Sequence, residues 1–522
     1  MVVLGLQAEE AVNFNENIID MKKFHLLCIG ILSMSTLYAQ DITDALRYSQ
    51  TDIQGTARFR GLSGAFGALG GDMSAVNLNP AGAAVFSQSH ASFSLSNKET
   101  NNDTQYFNGF NTTTNSDFDI NQAGASFVFA NNNPSSPWRK FTIGVAYDKI
   151  NSYDDAWNAF GTNTNNQSID FYFLDYADGV RLGDISLIGS ETITDAYVDI
   201  GNAFGFGAQQ AFLGYQSFIL EPDVDDDNNT SYFSNLSNGN FDHDYSYTAT
   251  GLNGKIAFNM AAQYGDNLYL GLNLNSHFIN YDRSTYLIED NNNGSVVNYI
   301  EFGNTLSTRG NGFSFQLGAI LKLTDELRAG LTYDSPTWYN IEEETTQFLY
   351  TNGDNGPITI NPQIVNVYPD YNLQTPAKLT GSLAYVFGSQ GLISFDYSMK
   401  DYGSAKFKPT SDPYFADEND YISDVLTNAS TYRIGAEYKV NQFSFRGGYR
   451  FEESPYENGV TVGDLTGFSL GLGYNFGNTK LDLTFDQSNR PFQTPLYQRG
   501  LIDTANIDNT NSNVTLSLSF NI

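Results

Sequence analysis

Leu465-Thr466-Gly467-Phe468-Ser469-Leu470-Gly471-Leu472-Gly473-Tyr474-Asn475-Phe476 alternates from end to end. Phe468, Leu470, Leu472, Tyr474 and Phe476 fall on one side, and Ser469, Gly471, Gly473 and Asn475 on the other. A period of two is the signature of a β-strand with one apolar and one polar face. The same reading holds for Phe443, Phe445, Tyr449 and Phe451 against Ser444, Arg446, Gly448 and Arg450. It holds again for Leu268, Leu270, Leu272 and Leu274, and for Phe313, Phe315, Leu317, Ala319, Leu321 and Leu323.

Extending this pattern along the chain predicts strands at 89–98, 121–130, 139–150, 253–264, 267–282, 311–323, 326–335, 376–388, 391–402, 429–440, 442–451, 465–476, 479–488 and 512–522. The gaps between them alternate. Those at 99–120, 151–252, 283–310, 336–375, 403–428, 452–464 and 489–511 are long, and each intervening gap is short. A closed membrane barrel has an even number of strands, long loops on the outer side and short turns on the other. The expected fold is therefore all-β, a 14-stranded antiparallel transmembrane β-barrel. The last run, Val514 to Ile522, alternates to the end of the chain. It resembles the terminal signal that barrel-assembly machinery reads, with Phe520 two residues early.

Composition agrees. The chain has 522 residues, 33 Tyr, 39 Phe and 47 Gly. Its mean hydropathy is −0.33, as expected where each strand turns only half its residues to lipid. Lys22 and Lys23 precede an apolar stretch from Phe24 to Tyr38, with Ala39 at a plausible cut. That is the order of a secretory signal, and the stretch is too short to span a membrane as a helix. Residues 21–39 are thus expected to be a signal peptide, with 1–20 an upstream extension from a mistaken start. The alternative is a buried N-terminal helix. The one cysteine, Cys28, lies within the signal, so the mature chain has neither a disulfide nor a cysteine metal site. Removing residues 1–40 takes out two lysines and four acids and leaves a charge of −30. So acidic a chain argues against nucleic acid as a partner.

Residues 40–88 do not read as barrel. They hold the glycine-rich run Arg58-Phe59-Arg60-Gly61-Leu62-Ser63-Gly64-Ala65-Phe66-Gly67-Ala68-Leu69-Gly70-Gly71-Asp72, then Asn79-Pro80-Ala81. No Gly-Lys-Ser/Thr follows, so a phosphate loop is not supported. From here the chain resembles the FadL/TodX/OmpP1 family of outer-membrane long-chain fatty-acid transporters. Ala65 to Asp72 followed by Asn79-Pro80-Ala81 matches the family's Gly-Ala-rich stretch with Gly-Asp and then Asn-Pro-Ala. Gly330-Leu331-Thr332-Tyr333-Asp334-Ser335-Pro336, Thr375-Pro376-Ala377, Asp396-Tyr397, Gly435-Ala436-Glu437-Tyr438, Arg446-Gly447-Gly448-Tyr449 and Ser454-Pro455 extend the likeness over most of 55–522. The abundance of Asn and Tyr resembles a Bacteroidetes member.

The resemblance implies a barrel at 89–522 closed by a small N-terminal hatch at 40–88. Hydrophobic molecules such as fatty acids would be caught by outer loops, passed inward and released sideways into the membrane, with no cofactor or metal. Arg58, Arg60, Asp72, Asn79, Pro80 and Ala81 are the candidate hatch and gate residues. Pro80 fixes φ and removes a donor, so it is expected to set a rigid turn. Phe204, Phe206, Phe212, Leu213, Tyr215, Phe218, Ile219 and Leu220 crowd one stretch of an otherwise polar loop. They are candidates for hydrophobic capture or, equally, for packing that loop on the rim. Alternation turns Arg433, Arg446 and Arg450 inward, where arginine suits a ligand carboxylate. The competing reading is a charge network with Asp396, Glu437 and Asp72. Gly144 is the candidate for a kink and lateral opening, since glycine within a strand hints at a bulge.

An outer-membrane enzyme is the first alternative, but His90, His243 and His277 show no Ser-His-Asp spacing. The acidic runs Asp223–Asn229 and Glu289–Gly294 carry Ser234 and Ile300 where a calcium loop needs its last glutamate. They read as solvated loops. A general porin and a secretion-associated, partner-binding barrel remain as further alternatives. The expected location is the Gram-negative outer membrane, as a monomer among lipid and lipopolysaccharide.

Overall fold

The computed structural model describes residues 41–522. The signal peptide expected at 21–39 and the upstream extension expected at 1–20 lie outside the described residues. Fourteen strands form the wall: β1 His90–Tyr106, β2 Gly109–Ala130, β3 Trp138–Ser152, β4 Phe241–Tyr264, β5 Leu268–Asp290, β6 Val297–Lys322, β7 Leu327–Asp334, β8 Lys378–Val386, β9 Gly391–Asp401, β10 Asn428–Val440, β11 Phe443–Glu452, β12 Leu465–Asn475, β13 Thr479–Pro495 and β14 Thr504–Asn521. Each pairs antiparallel with its neighbours. β1 also pairs with β14, from His90 opposite Asn521 to Gln105 opposite Asn506, which closes the barrel. Closure leaves no open edge, which is how a sheet satisfies its backbone in lipid. Among the described residues no helix is long and apolar enough to cross a membrane.

The alternation read from the sequence is the partition of side chains between lipid and lumen. In β12, Phe468, Leu470 and Leu472 point outward and are exposed, while Ser469 points inward and is buried. The opposite register would put every apolar side chain in the lumen.

The strands run far past the membrane. β4, β5 and β6 have 24, 23 and 26 residues, where about 9–11 suffice to cross. The gaps at 99–120, 283–310 and 489–511, expected as loops, are therefore mostly ladder. β1 and β2, for instance, stay paired up to Tyr106 opposite Gly109. The sequence signal fails there because both faces of the sleeve meet polar surroundings, so Thr, Asn and Asp occupy both sides while the backbone still pairs. The gap 336–375 likewise contains a strand, Trp338–Gly353, which pairs with the upper part of β6 as β7 pairs with the lower. Pro336, which cannot donate to a ladder, separates the two.

Residues 41–88 fill the lumen. They form α1 Ile42–Ser49, α2 Ala57–Arg60, α3 Met73–Leu78 and a 3-10 turn at Pro80–Val85. Asp41 and Asp44 make a capping box on α1, which satisfies backbone donors that a helix start leaves free. A short strand at Asp155–Asn163 continues the wall beside the upper part of β4, from Asp155 opposite Ala249 to Asn163 opposite Phe241, and α4 Asp170–Ala177 and α5 Ile193–Gln216 form a cap over the barrel. A further helix, α6 Pro413–Val425, packs near α1.

Candidate functional site

The lumenal segment is held to the wall by charge and by close backbone contact. Arg58 donates from Nε and Nη2 to the Glu437 carboxylate at 2.9 and 3.1 Å. Arg446 donates to the same Glu437 and to Asp482, both at 2.6 Å. Arg60 forks onto Asp486 at 2.8 and 2.7 Å, and Arg450 donates to Asp52 at 3.1 Å. Such charge-assisted, bidentate contacts are the stronger kind of hydrogen bond. Asp396 makes no close ion pair among the described residues. It accepts the backbone N–H groups of Phe66 and Gly67 at 2.8 and 3.0 Å. Asp72 caps α3 and accepts from the Thr56 hydroxyl at 2.7 Å.

The turn at Asn79-Pro80-Ala81 is gripped in the same way. The Asn79 amide donates to Gly67 O at 2.7 Å and to Ala319 O at 3.2 Å, and its oxygen accepts from Ala81 N–H at 3.1 Å. Asn259 donates to Pro80 O at 3.1 Å. The wall carries glycine where the turn presses in. A Cβ on Gly318 would lie 2.0 Å from Asn79 Oδ1, and one on Gly271 would lie 2.2 Å from the Pro80 carbonyl carbon.

Two cavities of about 170 and 300 Å³ lie beside this segment, and Thr51 and Asp52 line both. The smaller combines apolar surface from Ile53, Phe59 and Leu78 with Asp148, Lys149, Lys255, His277, Lys378, Lys400 and Arg433. Asp148 Oδ2, Asn275 Oδ1 and Arg433 Nε are buried there without a hydrogen-bond partner. Arg433 has a loose contact, with Nη2 3.7 Å from Glu452. Of the three candidate arginines it is the one whose guanidinium is not taken up by a close acid, whereas Arg446 and Arg450 are. His277 faces the lumen and lies 2.8 Å from the Ser314 hydroxyl. The larger cavity is lined by Tyr153, Tyr247, Tyr281 and Phe492 together with Arg47, Lys98 and Arg490.

One seam of the wall is incomplete. β2 and β3 pair from Ala130–Lys140 up to Gln122–Asp148 and no further. Above that level β2 pairs with β1 alone, and β3 with β4 alone. The two sides come together again near the top, where the Asn111 amide reaches Asn158 at 3.4 Å. Gly144 lies inside the paired part, opposite Ser126 on one side and Asn259 on the other. The ladder thus stops four residues beyond it. Lys149 sits at the stop and pairs with Asp117 and Asp119 of β2. The sequence offered no sign of these three residues as a group. A lysine and two acids some thirty positions apart have no spacing rule, and the bulges that bring them together leave no period.

The cap divides the capture candidates. Phe212, Leu213, Ile219 and Leu220 are fully buried in a core with Phe173, Phe302 and Leu349. Phe204 and Phe218 are 41 % and 42 % exposed, and Phe206 and Tyr215 are half-buried. α5 breaks at Gly205, whose φ of +87° suits glycine, so Phe204 and Phe206 sit on either side of a kink. Glu289, read from the sequence as part of a solvated run, is instead wholly buried. It accepts from Ser168 Oγ at 2.5 Å and from Ile169 N–H at 2.8 Å, and lies 2.9 Å from His243 Nε2. A buried carboxylate needs such partners, and these fasten the start of α4 to the wall.

A closed fourteen-stranded barrel with a tall polar sleeve, a filled lumen and an apolar outer belt defines a transport-type barrel of the bacterial outer membrane. The chain belongs to the outer membrane protein transport protein family (OMPP1/FadL/TodX), whose model matches residues 224–493. That is a family of transport proteins, not of enzymes. Among solved structures the chain is similar to a Pseudomonas aeruginosa FadL homologue and to the P. putida toluene transporter TodX. Each is 13 % identical with a TM-score of 0.51, over 90 % of this chain and 99 % of the other. At that identity the likeness establishes the fold. No curated protein matches the sequence.

Proposed function

We propose that this protein admits long-chain fatty acids or similar hydrophobic compounds through the outer membrane, without an energy source or cofactor. Phe204 and Phe218, with Phe206 and Tyr215 beside them, take the ligand from the saccharide layer. Burying apolar area is worth about 25 cal/mol per Å², so exposed aromatic rings above a polar sleeve offer a first stop. The ligand then moves past the larger aromatic-lined cavity to the smaller one. There Arg433 is the first choice for a headgroup carboxylate, ahead of Arg446 and Arg450, which already hold acids. Residues 41–88 act as the hatch, pinned by Arg58, Arg60 and the Asn79-Pro80-Ala81 turn and organised by the Asp72 cap. They keep the straight path to the periplasm shut. Release is sideways, through the unpaired seam between β2 and β3 and not at Gly144.

The observation that carries this reading is the smaller cavity itself. It is bounded by the filled lumen and shares Asp148 and Lys149 with the end of the β2–β3 ladder. The test is to purify the barrel in mild detergent and identify the extracted lipid by native mass spectrometry. A co-purifying fatty acid or similar amphiphile, depleted in Arg433→Ala and in Phe204→Ser/Phe218→Ser, is the expected result. An empty barrel held tightly by another envelope protein would instead indicate a role as a secretion partner.

A further inference from the structure

The end of the β2–β3 ladder is built, not frayed. On β2, Asn121 is an extra residue. Ser94 of β1 faces Gln122 and the next residue, Leu95, faces Ile120. The bulged Asn121 is fully buried and its amide donates to Gly55 O of the hatch at 3.0 Å. A bulge re-aims the side chains beside it. Here it turns Phe118 and Ile120 outward, 67 % and 42 % exposed, and Asp117 and Asp119 toward the gap. β3 has its own irregularity at the same height, between Lys149 and Asn151 in its pairing with β4. There the Lys149 ammonium is 3.0 Å from Asp119 and 3.4 Å from Asp117. The lysine side chain is 3 % exposed, and the two acids 28 % and 32 %.

This asymmetry matters when the seam opens. Parting β2 from β3 carries Asp117 and Asp119 away, and they are exposed enough to rehydrate. Lys149 is not. It stays against the cavity, and a buried charge left without its partner is strongly unfavourable. A ligand with an anionic headgroup brings a replacement counter-charge from the cavity side. A neutral ligand of the same length brings none. The cavity is suited to deliver the acid, since Lys149, Lys255, Lys378, Lys400 and Arg433 line it against Asp52, Asp148 and Asp334.

We infer that Lys149 is a specificity-determining residue at the side exit, which opens for amphiphiles carrying an anionic headgroup and holds back neutral ones. The inference rests on the lateral-release reading above. It assigns Lys149 a role in choosing the ligand beyond that of closing the wall.

The experiment uses the full mature barrel in vesicles whose outer leaflet is lipopolysaccharide. Pyrene-labelled hexadecanoic acid and the matching alcohol are added outside at a pH where the acid is ionised, and entry into the bilayer is followed by pyrene fluorescence. The wild type is expected to favour the acid by roughly tenfold, the ratio that about 1.4 kcal/mol of selective stabilisation gives. Lys149→Gln brings the ratio near unity by speeding the alcohol, and Lys149→Arg restores it. Asp117→Asn/Asp119→Asn keeps the acid preference, because the lysine is still there to select. A merely structural ion pair would make Lys149→Gln and the double variant behave alike. That result overturns the inference, as does an acid preference that survives in Lys149→Gln. If the folded wild type passes neither probe faster than protein-free vesicles, the transport reading fails and the inference with it.

Discussion

The wall from β10 to β13 and the seam between β2 and β3 both face the lumenal segment and both use ion pairs, yet they are built differently. On the first side the cations and acids are buried together. Arg446 is 3 % exposed, Glu437 fully buried and Asp482 5 % exposed, and the strands beneath them pair without interruption. On the second side the ladder is missing and one partner of each ion pair reaches water. Charge in the first place fixes position. In the second it joins two edges that no ladder holds, which is where we propose the wall parts. The contrast shows that an ion pair's job in this barrel is set by how its weaker partner fares when the pair breaks.

The comparison is tested most severely at Arg446. Arg446→Ala strands Asp482 without its cation in a dry site, and breaking a buried pair costs about 3–5 kcal/mol. Urea unfolding of the reconstituted barrel, followed by strand circular dichroism, is expected to show a destabilisation of that size. A loss below about 1 kcal/mol would erase the distinction between the two sides.

Acid gives a second, smaller handle on the anchored side. Burial pushes the Asp52 carboxyl up, but Arg450 and then Arg60 draw it further down, to about 2. The folded pKa lies below the unfolded value of about 3.9, so Asp52 contributes about 2.5 kcal/mol above that pH, by linkage. The contribution is lost as pH falls from about 4 through 2. Small-ion conductance in planar bilayers is expected to stay low at pH 4 and rise toward pH 2. Asp52→Asn is expected to leak already at neutral pH. A wild type that opens between pH 6 and 5 would place the controlling group elsewhere.

Lys149→Gln should show the smallest stability change. Asp117 and Asp119 are about a third exposed and regain water when the lysine is gone, so the loss is expected to be about 1 kcal/mol or less. The same urea unfolding measures it. A loss as large as that of Arg446→Ala would mean that the seam is a structural clamp.

The lipid-facing wall was legible in advance because its cause is local. Each outward residue in β12 is apolar for the same reason as the next but one, and a period of two needs no knowledge of any other strand. The sleeve was not legible, since Thr112, Thr114 and Ser116 on β2 face water and carry no hydropathy contrast. Of the inward arginines, alternation identified Arg433, Arg446 and Arg450 together and had no means to separate them. The seam group of Asp117, Asp119 and Lys149 was invisible, because a bulge at Asn121 changes which face the acids take.

By itself, then, the sequence determined the all-β barrel, its strand number and its lipid face, because partition between lipid and water acts on each residue where it stands. The tertiary structure decided which cations are already paired, where the backbone of the lumenal segment seats against Gly271 and Gly318, and which seam stays unpaired. Those depend on contacts such as Arg58 with Glu437, 379 positions apart, and no local pattern encodes a partner at that distance.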